Sequence, residues 1–158
     1  SSDVLQAQFQ AVDANPQKLA FAEVYLALQT GQIDGQENTW SNIYSQKFFE
    51  VQPYFEESNH GLLDYMLITS ERFWKSLPDD VRTELDKIIM EVTTAVNGFA
   101  SQENEDAKKL IADSGKTEII QLTAEEKAQW RKTMKPVWDQ FKDDIGAKYV
   151  DAAAACSE

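Results

Sequence analysis

The chain has 158 residues, 42% of them hydrophobic and 27% charged, so it can bury a core and has the size of one domain or of half a two-domain protein. Asp and Glu number 27 against 15 Lys and Arg, a formal net charge of −12. This charge argues against nucleic acid or an anionic membrane as partner, because both bind basic surfaces. The single cysteine, Cys156, can form neither an intrachain disulfide nor a cysteine-based zinc site, and we expect no metal or cofactor.

Hydrophobic spacing and turn residues predict a helix-dominated α/β chain. The predicted elements are, in chain order, a helix at 3–13, a short strand at 18–20, helices at 21–30 and 38–51, a strand at 62–69, a long helix at 79–112, a strand at 116–122, and helices from 124 onward interrupted at Pro136 and Gly146. The run LLDYMLIT at 62–69 favours a buried strand, because it is short and almost wholly apolar. Ser70 is predicted to cap a brief turn, and Thr123 with Glu126 to form a capping box.

Little in the chain favours an enzyme. His60 is the only histidine, it is far from Cys156 along the chain, and no nucleophile-elbow, phosphate-loop, dinucleotide or zinc-protease motif is present. His60 is therefore interpreted as a hydrogen-bonded structural residue, and an enzyme would need it close to a nucleophile or an acid in space. Acidic pairs such as Asp79–Asp80 stand in the first turns of predicted helices, where acids complement the helix dipole.

The loop at 31–40 is the most informative stretch. It is rich in glycine and polar residues, and it brings Asn38 to the start of a helix. An amide donor beside unpaired backbone N–H groups suits a carboxylate ligand. The alternative is that Asn38 or Thr39 simply caps its own helix, since both are ordinary N-cap residues.

The run FAEVYLALQTGQIDGQENTWSNIY at 21–44 resembles the periplasmic solute-binding proteins of tripartite ATP-independent periplasmic (TRAP) transporters. The ENTW form followed by SNIY is similar to the C4-dicarboxylate (DctP) branch. Further stretches agree, at 50–78 and 134–141, so that the resemblance covers essentially the whole chain.

The resemblance implies the C-terminal portion of a two-lobe α/β periplasmic binding protein, type II-like, with a long helix. Residues 1–69 would then supply ligand-lobe elements, and residues 70–158 the long helix, a strand and the C-terminal helices. The N-terminal lobe would be absent. The start at Ser1-Ser2-Asp3, without Met or leader, is typical of a mature form or a cut piece.

The resemblance also implies the ligand residues. Asn38 matches the asparagine that hydrogen-bonds the ligand carboxylate, and Phe21 matches an aromatic that packs near the ligand; Ser1 and Trp40 are predicted to contribute. Thr39 replaces the proline that commonly follows the asparagine, which favours the dicarboxylate branch over the sialic-acid branch.

One expected residue is missing. The family's ligand-pairing arginine would fall just before Ser1, and the first arginine of this chain is Arg72. Residues 1–60 carry eight acids and only two lysines, which would repel a dicarboxylate. We therefore expect a fragment of a periplasmic protein from a Gram-negative bacterium that captures succinate, malate or fumarate for TRAP membrane subunits, but that binds ligand poorly by itself.

A cut through a two-lobed protein would expose apolar surface and sheet edges, so the sequence also predicts a homodimer or a domain-swapped oligomer. The alternative function is a stand-alone protein-interaction domain that oligomerises through its exposed helix and sheet surfaces.

Overall fold

The computed structural model describes residues 2–156, so Ser1, Ser157 and Glu158 lie outside the described residues. The described chain forms two compact units that are interleaved along the sequence. The first unit takes residues up to 36, 55–60 and from 119 onward, and the second takes 37–54 and 61–118. The predicted division of the chain places ligand-lobe elements at 1–69 and the long helix, a strand and C-terminal helices at 70–158. The compact units do not show which residues contact a ligand, so this division stays a prediction.

Helices dominate, as the sequence predicts, and a single pair of short strands is formed within the described part of the chain. The elements are, in chain order, α1 (Asp3–Gln10), a 3-10 turn (Phe21–Glu23), α2 (Val24–Gln29), α3 (Trp40–Ser45), a 3-10 turn (Phe48–Glu50), β1 (Tyr54–Glu57), α4 (Glu71–Ser76), α5 (Asp79–Asp113), β2 (Glu118–Gln121), α6 (Ala124–Ile145) and α7 (Ala147–Cys156).

Local signals account for where most helices begin. The side chains of Ser2, Thr39, Ser70 and Thr123 each accept a hydrogen bond from a backbone N–H in the first turn of the helix that follows. The predicted capping box is confirmed, because Thr123 N also donates to the Glu126 carboxylate at 2.8 Å. Such caps satisfy donors that the helix itself leaves unpaired.

Each unit has a small apolar core. In the first unit the buried residues are Ala27, Leu28, Phe55, Met134 and Val137, from α2, β1 and α6. In the second they are Ile43, Phe48, Phe49, Ala107 and Ile111, from α3, the 3-10 turn after it and the last turns of α5. The long helix α5 is thus anchored in a core only near its C-terminal end.

Two predicted strands are not formed within the described residues, and two predicted helices are shortened, one of them the helix at 3–13, which ends at Gln10. Residues 62–69 form no strand and are exposed, because no described segment pairs with their backbone. Residues 18–20 also form no strand. The predicted helix at 38–51 stops at Ser45, because Lys47 adopts a left-handed φ of 58° that an α-helix cannot continue through.

The long-helix prediction is confirmed at both ends. The structure has α5 from Asp79 to Asp113, with Pro78 before it and Gly115 after it at a φ of +64°, a conformation that glycine adopts without strain. The helix α6 continues through Pro136, so the prediction that the helix restarts there is wrong, whereas the predicted break at Gly146 is confirmed. Strand β1 is an element that the sequence did not indicate.

Candidate ligand site

Asn38 stands immediately before α3, and its two amide atoms have different surroundings. Its Oδ1 accepts a hydrogen bond from Asn42 Nδ2 at 2.5 Å and a longer one from Thr39 N at 3.3 Å. Within residues 2–156, no hydrogen bond engages the Asn38 Nδ2 group. The local contacts therefore fix the carbonyl side and leave an N–H donor pair available, which is what a carboxylate ligand requires.

The cap of α3 is Thr39, whose hydroxyl accepts from Asn42 N. A second N–H of the same turn, Ser41 N, donates to Asn104 Oδ1 of α5 at 3.1 Å. The capping alternative is therefore correct for Thr39. Because Ser41 N and Asn42 N both have partners, few backbone N–H groups at this helix start are left to bind a carboxylate. The Asn38 side chain is therefore the main candidate donor to a ligand.

Residues of α5 complete the surroundings of α3, and the sequence did not indicate them. Asn104 is held in place because its Nδ2 donates to Ala100 O one turn earlier. Lys108 Nζ lies 5.7 Å from the centroid of the Trp40 ring, a cation–π arrangement. Asn104 and Lys108 are four positions apart and so lie on the same face of α5. Their sequence does not distinguish them from other polar residues of this helix; their contacts with α3 do.

The four predicted ligand residues are distributed as follows. Asn38 and Trp40 belong to the second unit and are half-buried. Phe21 belongs to the first unit, where it begins a 3-10 turn with 45% of its surface exposed. Ser1 lies outside the described residues. Their joint action on one ligand stays a prediction.

A cavity of about 310 Å³ in the first unit contains none of the predicted ligand residues. Its lining includes Trp130 of α6 and the carboxylates of Glu56 and Glu126. Thr123 N–H holds the pKa of Glu126 below its ordinary value by donating to the carboxylate, so this group is charged at neutral pH. Two acidic side chains make the cavity unsuitable for a dicarboxylate.

His60 has the environment of a structural residue. Its Nδ1 lies 2.6 Å from Ser58 Oγ, two residues earlier, and its ring packs edge-on against Phe9 and stacked with Trp130 at centroid distances of 5.6 and 6.2 Å. These contacts lie within the first unit and tie the loop after β1 to α1 and α6. Cys156 is exposed at the end of α7.

Between residues 2 and 156 no helix combines the length and apolar character needed to cross a membrane. The same residues contain no group of three or more His, Cys, Asp or Glu side chains placed to hold a metal ion.

Comparison with protein families gives a match over residues 1–144 to the bacterial extracellular solute-binding proteins of family 7, the DctP family. The chain belongs to this family. The recognition of a DctP-type protein from the run at 21–44 is therefore confirmed, and so is the absence of an enzymatic role, since the family binds solutes.

Relatives in this family carry more specific descriptions. The C4-dicarboxylate-binding periplasmic protein DctP of Shewanella loihica is 53% identical over all 158 residues, which make up 47% of that protein. A TRAP periplasmic solute-binding protein of Shewanella oneidensis with bound succinate matches the whole chain with 49% identity and a TM-score of 0.94, over 52% of its own length. One from Pseudomonas aeruginosa with bound L-malate matches 88% of the chain with 46% identity and a TM-score of 0.83, over 48% of its length.

The chain thus spans about half the length of the relatives that it matches. These matches confirm the helix-dominated α/β fold of a TRAP periplasmic binding protein, present here in part.

Proposed function

We propose that this chain is the C-terminal part of an extracytoplasmic protein that binds C4-dicarboxylates such as succinate, malate or fumarate and delivers them to TRAP membrane subunits in the periplasm of a Gram-negative bacterium. The observation that carries the proposal is the likeness, over the whole chain, to the Shewanella oneidensis protein with bound succinate. No covalent chemistry is required, because capture and release of the ligand suffice.

In this proposal Asn38 is the residue that donates to a ligand carboxylate. Its Oδ1 is already engaged by Asn42 and Thr39, so its orientation is fixed before the ligand arrives. Such preorganisation reduces the entropy lost on binding. Phe21, Trp40 and Ser1 are proposed to line the rest of the ligand's surroundings.

The isolated chain is proposed to bind dicarboxylate weakly or not at all. Arginine is the side chain best suited to pair with a carboxylate in a bidentate manner, and residues 1–71 contain none. Arg82 is committed elsewhere, since its guanidinium donates to Leu77 O at 3.0 Å and pairs with Asp79. Isothermal titration of the isolated chain with succinate should give no saturable heat, whereas a micromolar Kd would contradict this proposal.

The binding function itself is tested in a full-length chimera, in which the whole of this chain replaces the part of the Shewanella loihica protein that it matches. The chimera should bind succinate, and Asn38→Asp should weaken binding on the order of 100-fold, because the change keeps the acceptor for Asn42 and replaces the donor with a negative charge. Asn97→Asp makes the same change at an exposed position of α5 and should leave the Kd unaltered. A chimera that folds without binding succinate, or equal effects of the two variants, would contradict the proposal.

The second candidate is a stand-alone interaction domain that oligomerises through exposed surfaces. The observation that favours it is the exposure of large apolar side chains throughout residues 62–68. For either candidate we propose that the isolated chain forms a dimer or a higher oligomer. Light scattering that finds only monomer at tens of micromolar would contradict this self-association.

A further inference from the structure

The cavity of the first unit, here called the acidic cavity, has no part in the proposed function. Its volume of about 310 Å³ lies at the lower end of the range of small-molecule sites. Its walls come from the chain after α1, from β1, and from α6 with the residue before its cap. All of these segments belong to the first unit, so the cavity is a feature of that unit by itself.

The charge of the acidic cavity is negative. Among the described residues that line it, Glu56 and Glu126 are the charged ones. Glu126 is ionised at neutral pH, because Thr123 N–H donates to it and lowers the pKa of its carboxyl. Glu56 is exposed, and within residues 2–156 no salt bridge engages it. The cavity therefore carries two negative charges that no basic side chain of its lining offsets.

The arrangement of residues along α6 separates this negative charge from the positive charges of the same helix. Glu126, Trp130 and Thr133 line the cavity and lie at positions i, i+4 and i+7, which is one face of a helix. The neighbouring basic residues lie at least about a quarter of a turn around α6 from the middle of that face. They are Lys127, Arg131, Lys132 and Lys135. The face of α6 that lines the cavity thus carries an acidic residue and no basic one.

Trp130 gives the acidic cavity an aromatic wall. Its ring is held by stacking with the ring of His60, at a centroid distance of 6.2 Å. The face of an indole ring attracts cations more strongly than that of any other aromatic side chain. Val12 and Leu122 add apolar surface to the lining. Carboxylates, an indole ring and apolar side chains together suit a cation that carries hydrocarbon groups.

Metal ions and anions are poorer occupants of the acidic cavity. The described residues contain no group of three or more His, Cys, Asp or Glu side chains placed to hold a metal ion. Hard cations such as Ca²⁺ take about six to eight oxygen ligands, and the aromatic and apolar walls offer none. An anion would be repelled by both carboxylates.

We propose that the acidic cavity binds a small organic cation, whose ammonium group is attracted by Glu56 and Glu126 and packs against the ring of Trp130. None of the residues proposed for the dicarboxylate lines this cavity. The ligand would be a second one, of opposite charge to the dicarboxylate, and its binding does not depend on the proposed function.

A titration of the isolated chain with choline tests the proposal, because choline combines a quaternary ammonium group with hydrocarbon groups. Nuclear magnetic resonance follows the indole N–H signal of Trp130, which is assigned by its loss in Trp130→Phe. At constant ionic strength choline should shift this signal in a saturable manner. The neutral isostere of choline, in which a carbon atom replaces the nitrogen, should bind on the order of 10-fold more weakly.

Glu56→Gln is the decisive variant, since it removes one charge at an exposed position and keeps the size of the side chain. It should raise the Kd for choline on the order of 10-fold. Glu125→Gln is the matched control, because Glu125 lies in the first turn of α6 but outside the lining, and it should leave the Kd unaltered. Glu126 is unsuited to this test, because its carboxylate also caps α6.

Each outcome decides the matter. Saturable binding of choline that is weakened by the neutral isostere and by Glu56→Gln, and not by Glu125→Gln, supports the proposal. No saturation at tens of millimolar choline, equal binding of the isostere, or equal effects of the two variants overturns it. Binding by the isolated chain that is lost in the full-length chimera also overturns it, because the cavity would then be filled in the complete fold. Succinate binding by the chimera is measured separately, so failure of this proposal leaves the proposed function intact.

Discussion

The two ends of α5 have similar amphipathic sequences and opposite environments. Near the C-terminal end, Ile111 is fully buried and Asn104 is bonded to α3. Along the first two-thirds, Val92 and Phe99 repeat at helical spacing but remain more than half exposed. The comparison teaches that helical spacing of apolar residues does not by itself tell which part of a 35-residue helix is buried in a core.

The largest effect is expected at the packed end. Ile111→Ala should lower the free energy of unfolding of the isolated chain by about 2–5 kcal/mol, because it removes buried methyl groups and leaves a cavity in the second unit's core. Urea unfolding followed by far-UV circular dichroism measures the change. Met90→Ala on the exposed side of the same helix should stay within about 0.5 kcal/mol of the parent. Similar losses for both variants would mean that the α3–α5 core is not the stabilising contact.

Phe99→Ala tests whether the exposed part of α5 behaves as an ordinary surface, since Phe99 is 71% exposed. In the isolated chain it should change the free energy of unfolding by no more than about 0.5 kcal/mol. In the full-length chimera the same change should cost about 1–3 kcal/mol, since the ring would then be covered. The Tm shift of Phe99→Ala is measured in both proteins, and an equal, small shift in both would show that the Phe99 ring is exposed in the full-length chimera as well.

A smaller effect is expected where α5 meets the start of α3. Asn104→Ala removes the acceptor for Ser41 N and should cost about 1 kcal/mol in the isolated chain. Asn97→Ala, at an exposed position two turns earlier, is the control. Chemical denaturation curves of the two variants provide the measurement, and an unchanged midpoint for Asn104→Ala would show that solvent replaces the bond without cost.

A structural feature could be predicted from the sequence when the residues that cause it are close neighbours along the chain. The ends of α5 follow from Pro78 and Gly115, and the start of α6 from Thr123 and Glu126, because these residues act on their immediate neighbours. The strand at 62–69 was wrong for the described chain because strand formation needs a partner strand, which the apolar pattern implies but does not supply. Strand β1 was missed for the same reason, since its formation depends on β2, about 60 residues later.

In the candidate site, too, the features set by neighbouring residues could be predicted, and the contacts between distant residues could not. Asn38 could be proposed from the motif around it, and the capping role of Thr39 was the alternative left open. The bond from Ser41 to Asn104 and the packing of Lys108 on Trp40 join residues more than 60 positions apart, and no spacing rule encodes them. Contacts of this kind arise only when α5 folds back onto α3.

The smallest effect is expected in the first unit, at the capping box that begins α6, away from the contacts of α5. Thr123 N–H donates to Glu126 and lowers the pKa of that carboxyl below its ordinary value of 4.5. A carboxyl with a lower pKa in the folded state stabilises the fold above its unfolded pKa, and the contribution is lost as the pH falls through the folded pKa. The Tm difference between the parent chain and Glu126→Gln should therefore be larger at pH 7 than below pH 4. Glu125→Gln, in the same first turn, should show no such trend, and an identical pH dependence for both variants would contradict the capping-box origin of the effect.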